Sequence, residues 1–250
     1  MRASAPADAS ACAAAGSLAA APRAILFDLD GTLVDSVPDL VRCVNAALAA
    51  VQQPAVDEAQ VRSWVGNGAA RLLHRALTGR ADGVAPAARH AAAMAVFNAR
   101  YAAEPCRESR LYPGVARTLA ALRGQGIRLA CVTNKPQRFV PSVLAGLGLG
   151  GIFECIVGGD TAARLKPDPA PLRLALAALD TPAAHSLLVG DSHIDMAAGR
   201  AAAVPTVAVS YGYDPACDFL ALGAVALLDC LADLPTVWGR PPVAVEGSAG

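Results

Sequence analysis

The chain has 250 residues, 54% of them hydrophobic, and carries 21 Lys+Arg against 21 Asp+Glu. That length and apolar content suit one sizeable α/β core, or a core with a small second unit. The net charge of zero offers no basic excess for nucleic acid and no acidic solvating tail, so no nucleic-acid partner is expected.

Residues 1–22 are mostly Ala, Ser, Pro and Gly, interrupted by Asp8. A secretory leader needs a compact run of larger apolar side chains, so this stretch reads as a disordered extension. Nor is there a run of about 18 bulky apolar residues, and no membrane span is expected.

The first strand is predicted over 24–29. Its apolar run Ala24-Ile25-Leu26-Phe27 passes straight into Asp28-Leu29-Asp30-Gly31-Thr32. A strand that ends on two carboxylates needs something to offset their repulsion, and a divalent cation with hard oxygen ligands does so.

From residue 37 to about 110 only helical patterns follow. Val37, Leu40, Val41, Val44, Leu48 and Val51 recur at spacings of three and four, one apolar stripe, with Ser36 placed as N-cap. Trp64-Val65 and then Leu72, Leu73 and Leu77 continue the pattern past a Gly66-Asn67-Gly68 hinge, and Trp64 reads as packing. The remaining strands are predicted at 127–133, 154–158, 186–190, 206–210 and 225–228. Helices are predicted at 115–123, 138–147, 169–179 and 194–203. Short, mostly nearly continuously apolar strands alternating with helices imply βαβ units in a sheet covered on both faces.

The expected fold class is therefore α/β: a Rossmann-like, doubly wound parallel sheet with an inserted α-helical cap. The expected division is an extension over 1–22, a discontinuous core over 23–37 and 111–235, a cap over 38–110, and a flexible tail over 236–250. The cysteines, Cys12, Cys43, Cys106, Cys131, Cys155, Cys217 and Cys230, are odd in number and show no CxxC spacing. Reduced thiols in a cytoplasmic protein fit better than disulfides or zinc.

Ligands in open α/β sheets bind beyond the carboxyl ends of the strands. Asp28 and Asp30, Thr133 and Asn134, Lys166, and Asp191 with Asp195 each follow a different predicted strand. Any one of these is an ordinary turn or loop; their joint order is the signal. Asp28 is the candidate nucleophile toward phosphorus, and Asp30 the acid for the leaving alkoxide and then the base for water. Asp28, the Asp30 carbonyl and Asp191 are the candidate ligands of Mg²⁺. Thr133, the Asn134 amide and Lys166 are candidates for the phosphate oxygens. Asp195 is expected to hold metal-bound water or orient Lys166. The histidines, His193 included, read as surface or helix residues rather than ligands.

These four motifs, in this order over residues 24–214, resemble those of the haloacid-dehalogenase-like phosphohydrolases. Val65-Gly66-Asn67-Gly68-Ala69, Arg75-Ala76-Leu77, Val132-Thr133-Asn134-Lys135-Pro136, Gly158-Gly159-Asp160, Lys166-Pro167 and Ser210-Tyr211-Gly212-Tyr213 are similar, more narrowly, to the bacterial phosphoglycolate phosphatases. The resemblance implies a Mg²⁺-dependent phosphoric monoester hydrolase that splits 2-phosphoglycolate into glycolate and phosphate through an aspartyl-phosphate. Its partner would be a small phosphorylated organic acid, met as a monomer or homodimer. The chain departs from the family at Ser192-His193-Ile194, where a polar pair is expected after Asp191. A carboxylate on the substrate needs a cation or backbone donors once water is excluded. Arg71, Arg75, Lys135 and the amides of 66–68 are candidates.

Three alternatives stand beside this reading. One is a relative acting on a sugar phosphate, on pyrophosphate or as a mutase. Another is a metal-free haloacid dehalogenase, which has no use for Asp30 or Asp191. The last is a silent phosphate-binding module, which would bind phosphate without turnover.

Overall fold

The computed structural model describes Leu18 and residues 20–238. In chain order, β1 (Ala24–Phe27) leads to β2 (Val34–Asp35), followed by four helices: α1 (Val37–Ala50), α2 (Glu58–Trp64), α3 (Gly68–Thr78) and α4 (Ala87–Ala103). Strand β3 (Arg110–Leu111) and helix α5 (Val115–Gly124) come next. They are followed by β4 (Arg128–Val132), α6 (Val140–Gly146), β5 (Cys155–Val157), α7 (Ala170–Ala178), β6 (Ser186–Gly190), α8 (His193–Ala202), β7 (Thr206–Val209) and β8 (Ala226–Leu228).

Six strands form one parallel sheet in the order β5-β4-β1-β6-β7-β8. The chain leaves β1 outward through β4 and β5, then returns to the other flank of β1 with β6. That reversal opens a crevice at the carboxyl end of β1. Strand alternation divides the core: Ile25, Phe27, Leu129, Cys131, Leu187 and Val189 face one cluster, whereas Ala24, Leu26, Ala130, Val132 and Leu188 face the other. The first cluster continues into the helical insert through Leu40, Val44, Leu48, Leu73, Phe97 and Tyr101. Each fully buried Leu or Phe there contributes about 1.5–3 kcal/mol.

The predicted strands fall within two residues of the observed ones. The region read as purely helical is bounded by a two-stranded antiparallel ribbon, in which Val34 pairs with Leu111 and Asp35 with Arg110. Two-residue strands have no periodicity to read. Ser36 occupies the cap position of α1 but makes no capping bond: its N–H donates to the Tyr213 hydroxyl at 2.8 Å and its own hydroxyl is buried without a partner. The single helix predicted over 138–147 is a 3₁₀ turn, Gln137–Phe139, followed by α6.

The predicted extension and tail lie outside the described residues except at their inner ends. There the Leu18 N–H donates to the Val237 carbonyl at 2.9 Å, and a 3₁₀ segment, Leu231–Val237, carries order past residue 236. Cys131 is buried in β4, and burial raises its thiol. Among the described residues no helix is long and apolar enough to cross a membrane.

Candidate active site

The loop after β1 is shaped by close approach. Asp28 continues the ladder by donating its N–H to the Val189 carbonyl at 2.9 Å. Gly31 turns the chain at φ +92°, and a Cβ there would lie 2.1 Å from Asp191 Oδ2. Only glycine lets this loop close over Asp191. The Thr32 hydroxyl donates to Asp191 Oδ1 at 2.8 Å, and the Tyr213 N–H donates to Oδ2 at 2.8 Å. Asp191 is thus gripped from β1's loop and from the loop after β7.

Lys166 lies between two acids. Its Nζ is 3.0 Å from Asp28 Oδ1 and 2.7 Å from Asp195 Oδ1, with the side chain 1% exposed. The second Asp195 oxygen accepts from the Ser192 hydroxyl at 2.6 Å and from its N–H at 3.2 Å, a capping box at the start of α8. Asp195 is therefore fixed in place as a partner of Lys166. Ser192, the departure noted in the sequence, supplies the hydrogen bonds that hold it. His193 is exposed and pairs with Asp214 at 2.7 Å.

Carboxylate oxygens of Asp28, Asp191 and Asp195 lie within 4.8 Å of one another. All three are buried. Burial pushes the Asp28 carboxyl up to about 6 despite Lys166 beside it, and burial with Asp195 and Asp28 pushes Asp191 well above the usual range. Four acids, Asp28, Asp30, Asp191 and Asp195, face two ammonium groups, Lys135 and Lys166. The oxygens are hard donors, and a cation among them would relieve the cost of ionising Asp28 and Asp191 together; both features fit a divalent cation.

The carboxylate of Asp30 turns the other way. Both its oxygens accept from Lys135 Nζ at 3.0 Å. Its side chain is thus engaged away from the Asp28, Asp191 and Asp195 cluster. Thr133 Oγ1 accepts from the Lys135 N–H at 3.2 Å. Asn134, expected to act through its backbone, also uses its side chain: Nδ2 donates to the Lys166 carbonyl and the Gly66 carbonyl at 2.9 Å each, and Oδ1 accepts from the Lys166 N–H at 2.9 Å.

Arg71 and Arg75 do not meet at one cavity. Arg71 donates to the carbonyls of Gly83 and Ala81, and Arg75 to those of Ala81 and Trp64. Much of their donor capacity braces the insert's own loops. Arg75 also lines a cavity with Asp28, Asp30, Asp191 and His193. Sequence reading missed Thr32, Ser192 and Tyr213 as supports of the acids. Tyr213 lies in a run already singled out, but nothing local in that run points to Asp191.

The family model for haloacid dehalogenase-like hydrolases matches residues 25–209. The chain is 46% identical over 214 residues to a plasmid phosphoglycolate phosphatase of Cupriavidus necator, covering 86% of this chain and 92% of that protein. It is 45% identical over 224 residues to a phosphoglycolate phosphatase of Rhodospirillum rubrum, covering 88% and 92%. The crystal structure of a predicted phosphoglycolate phosphatase from Haemophilus somnus 129PT superposes with a TM-score of 0.79 at 34% identity, covering 86% of this chain and 97% of that one. With its crevice at the end of β1, its buried acids and these likenesses, the chain belongs to the haloacid dehalogenase-like hydrolases.

Proposed function

We propose that this hydrolase is a Mg²⁺-dependent phosphatase that converts 2-phosphoglycolate to glycolate and phosphate through an aspartyl-phosphate on Asp28. The observation that carries it is Lys166 held between Asp28 and Asp195 beside the buried Asp191. A permanently placed cation next to an acid poised for attack suits an incoming dianion.

Asp28 Oδ1 accepts from the Leu29 N–H at 2.7 Å and from Lys166, which directs the other oxygen toward phosphorus. As the Asp28–phosphorus bond forms, the bond to the glycolate oxygen breaks and Asp30 delivers a proton to that oxygen. Asp30 then takes a proton from water. The water oxygen attacks phosphorus, the bond to Asp28 breaks, and phosphate is released. Thr133, Asn134 and Lys166 hold the non-bridging oxygens through both steps. A divalent cation, Mg²⁺ in this reading, would be held by Asp28, Asp191 and the Asp30 carbonyl and supplies positive charge against the phosphate. The helices of 38–110 act as the cap over this site. A cytoplasmic monomer or homodimer meeting a small phosphorylated acid completes the reading.

The test is kcat/KM on 2-phosphoglycolate against a sugar monophosphate, pyrophosphate and a simple alkyl phosphate. A preference for 2-phosphoglycolate supports the assignment. A preference for one of the others replaces the substrate while leaving the phosphatase chemistry intact.

A further inference from the structure

Between the core and the helical insert lies a cavity. Its polar lining consists of Asp28, Asp30, Thr133, Asn134, Lys135 and Tyr101; the rest is apolar or glycine, including Leu40, Leu72, Phe97 and Phe139. Among the described residues Lys135 is the one cationic member of that lining. Its Nζ spends hydrogen bonds on the two oxygens of Asp30 and lies 4.7 Å from the centre of the Tyr101 ring. An ammonium has three N–H donors, and two go to Asp30. The Tyr101 hydroxyl, on a side chain 1% exposed, completes no hydrogen bond of ordinary geometry even though Lys135 is close beside it. A buried phenol without a partner is uncommon and asks for an acceptor.

We propose that Lys135 and the Tyr101 hydroxyl form the subsite that receives the acid group of the substrate. This rests on the phosphoglycolate reading above. Both residues offer donors, and a carboxylate is a pure acceptor with two oxygens. The spacing agrees. In 2-phosphoglycolate one CH₂ separates the ester oxygen from the carboxylate. Asp30, the group assigned to the ester oxygen, is hydrogen-bonded directly to Lys135. A substrate whose leaving oxygen meets Asp30 therefore brings its acid group beside Lys135. The apolar walls have few hydroxyl or amide groups for a sugar, so the cavity selects a short acid rather than a polyol. Arg71 is absent from this lining and is held by loop carbonyls instead.

The experiment compares the full chain with Lys135→Met and Tyr101→Phe on 2-phosphoglycolate and on ethyl phosphate, the same kind of ester without the acid group. Binding of both esters to these variants on an Asp28→Asn background, which stops turnover, is measured by calorimetry. The expected result is a fall in the phosphoglycolate-to-ethyl-phosphate ratio of kcat/KM on the order of 10² for Lys135→Met and about 10 for Tyr101→Phe, mirrored in binding. Tyr101→Phe removes only the hydroxyl and keeps the ring packing, so it reads the subsite even where Lys135→Met disturbs Asp30. Equal losses on both esters, with the ratio unchanged, overturn the subsite and leave the substrate assignment standing. A wild-type preference for a different acidic ester, lost in both variants, overturns the substrate assignment and leaves the subsite standing. No wild-type preference for any acidic ester overturns both.

Discussion

Asn134 joins the helical insert to the loop of Lys166: its side-chain amide donates to the Gly66 carbonyl and to the Lys166 carbonyl, each at 2.9 Å. Its oxygen accepts from the Lys166 N–H. One side chain therefore fixes the lysine loop and latches the hinge of the insert over it. Asn134→Ala strips both and leaves the buried Lys166 N–H unpaired, at about 1–3 kcal/mol. The expected outcome is a lower urea midpoint together with a fall in kcat/KM on the order of 10². A variant with unchanged midpoint and unchanged kcat/KM would show that the latch does no work.

Lys166 stays charged across the working range. Burial alone would lower its pKa, but Asp195 and Asp28 outweigh burial and raise it above the usual value. Lys166→Met should therefore reduce kcat by roughly 10²–10³. Asp195→Asn keeps an acceptor but loses the charge, and should cost about tenfold through misplacement of Lys166. The wild-type rate should show no alkaline loss traceable to Lys166 below about pH 10. Steady-state kinetics from pH 6 to 10 on both variants measures this; a larger effect of Asp195→Asn than of Lys166→Met would reverse the order of roles.

The crowding of the buried Asp28 and Asp191, whose carboxyls are both raised, predicts a protein that is more stable with its cation. Chelation by EDTA should abolish turnover, and added Mg²⁺ should restore it. At a hundredfold excess over its Kd the cation should add about 2.7 kcal/mol, visible as a rise in Tm. Asp191→Asn should lose most of both responses. Full activity after exhaustive chelation, confirmed by metal analysis, would remove the metal from the mechanism.

The strands were legible because β1, β4 and β6 are buried on both faces and read as nearly unbroken apolar runs, broken only at the first residues Arg128 and Ser186. The helical insert was legible from its stripe. The ribbon of β2 with β3 was not, since it is two residues long on each side. Within the candidate site, the acids were legible one strand end at a time. Their pairings were not: Lys135 meets Asp30 across 105 residues, and Asn134 meets Gly66 across 68. No local period encodes contacts of that range; they follow from which loops the sheet order brings together. The reading of Arg71 and Arg75 from charge alone likewise could not foresee the loop carbonyls of Ala81 and Gly83 that take up their donors.

Asp39 illustrates the same limit in the insert and carries the last prediction. It sits in the first turn of α1 and is fully buried. Its Oδ2 accepts from the N–H groups of Arg107, Glu108 and Ser109 at 2.8–3.0 Å and from the Ser109 hydroxyl at 2.7 Å, while Oδ1 pairs with Arg42 at 3.0 Å. Burial works to raise its pKa, but the bonds from Ser109, Arg42 and the backbone outweigh it and hold the carboxyl below its ordinary value. A carboxyl depressed in the folded state contributes stability that is complete above the unfolded pKa, near 3.9, and is lost as pH falls through the folded value. Asp39→Ala should therefore cost about 3 kcal/mol at pH 7, because it orphans three N–H groups and the Ser109 hydroxyl and leaves Arg42 with Glu104 as its remaining acidic partner. The gap between wild type and variant should narrow as the pH is lowered below about 4. Urea unfolding of both proteins at pH 7, 5 and 3.5 measures it; a gap that stays constant down to the lowest pH would mean that the ionised form of Asp39 is not what ties α1 to the 107–109 loop.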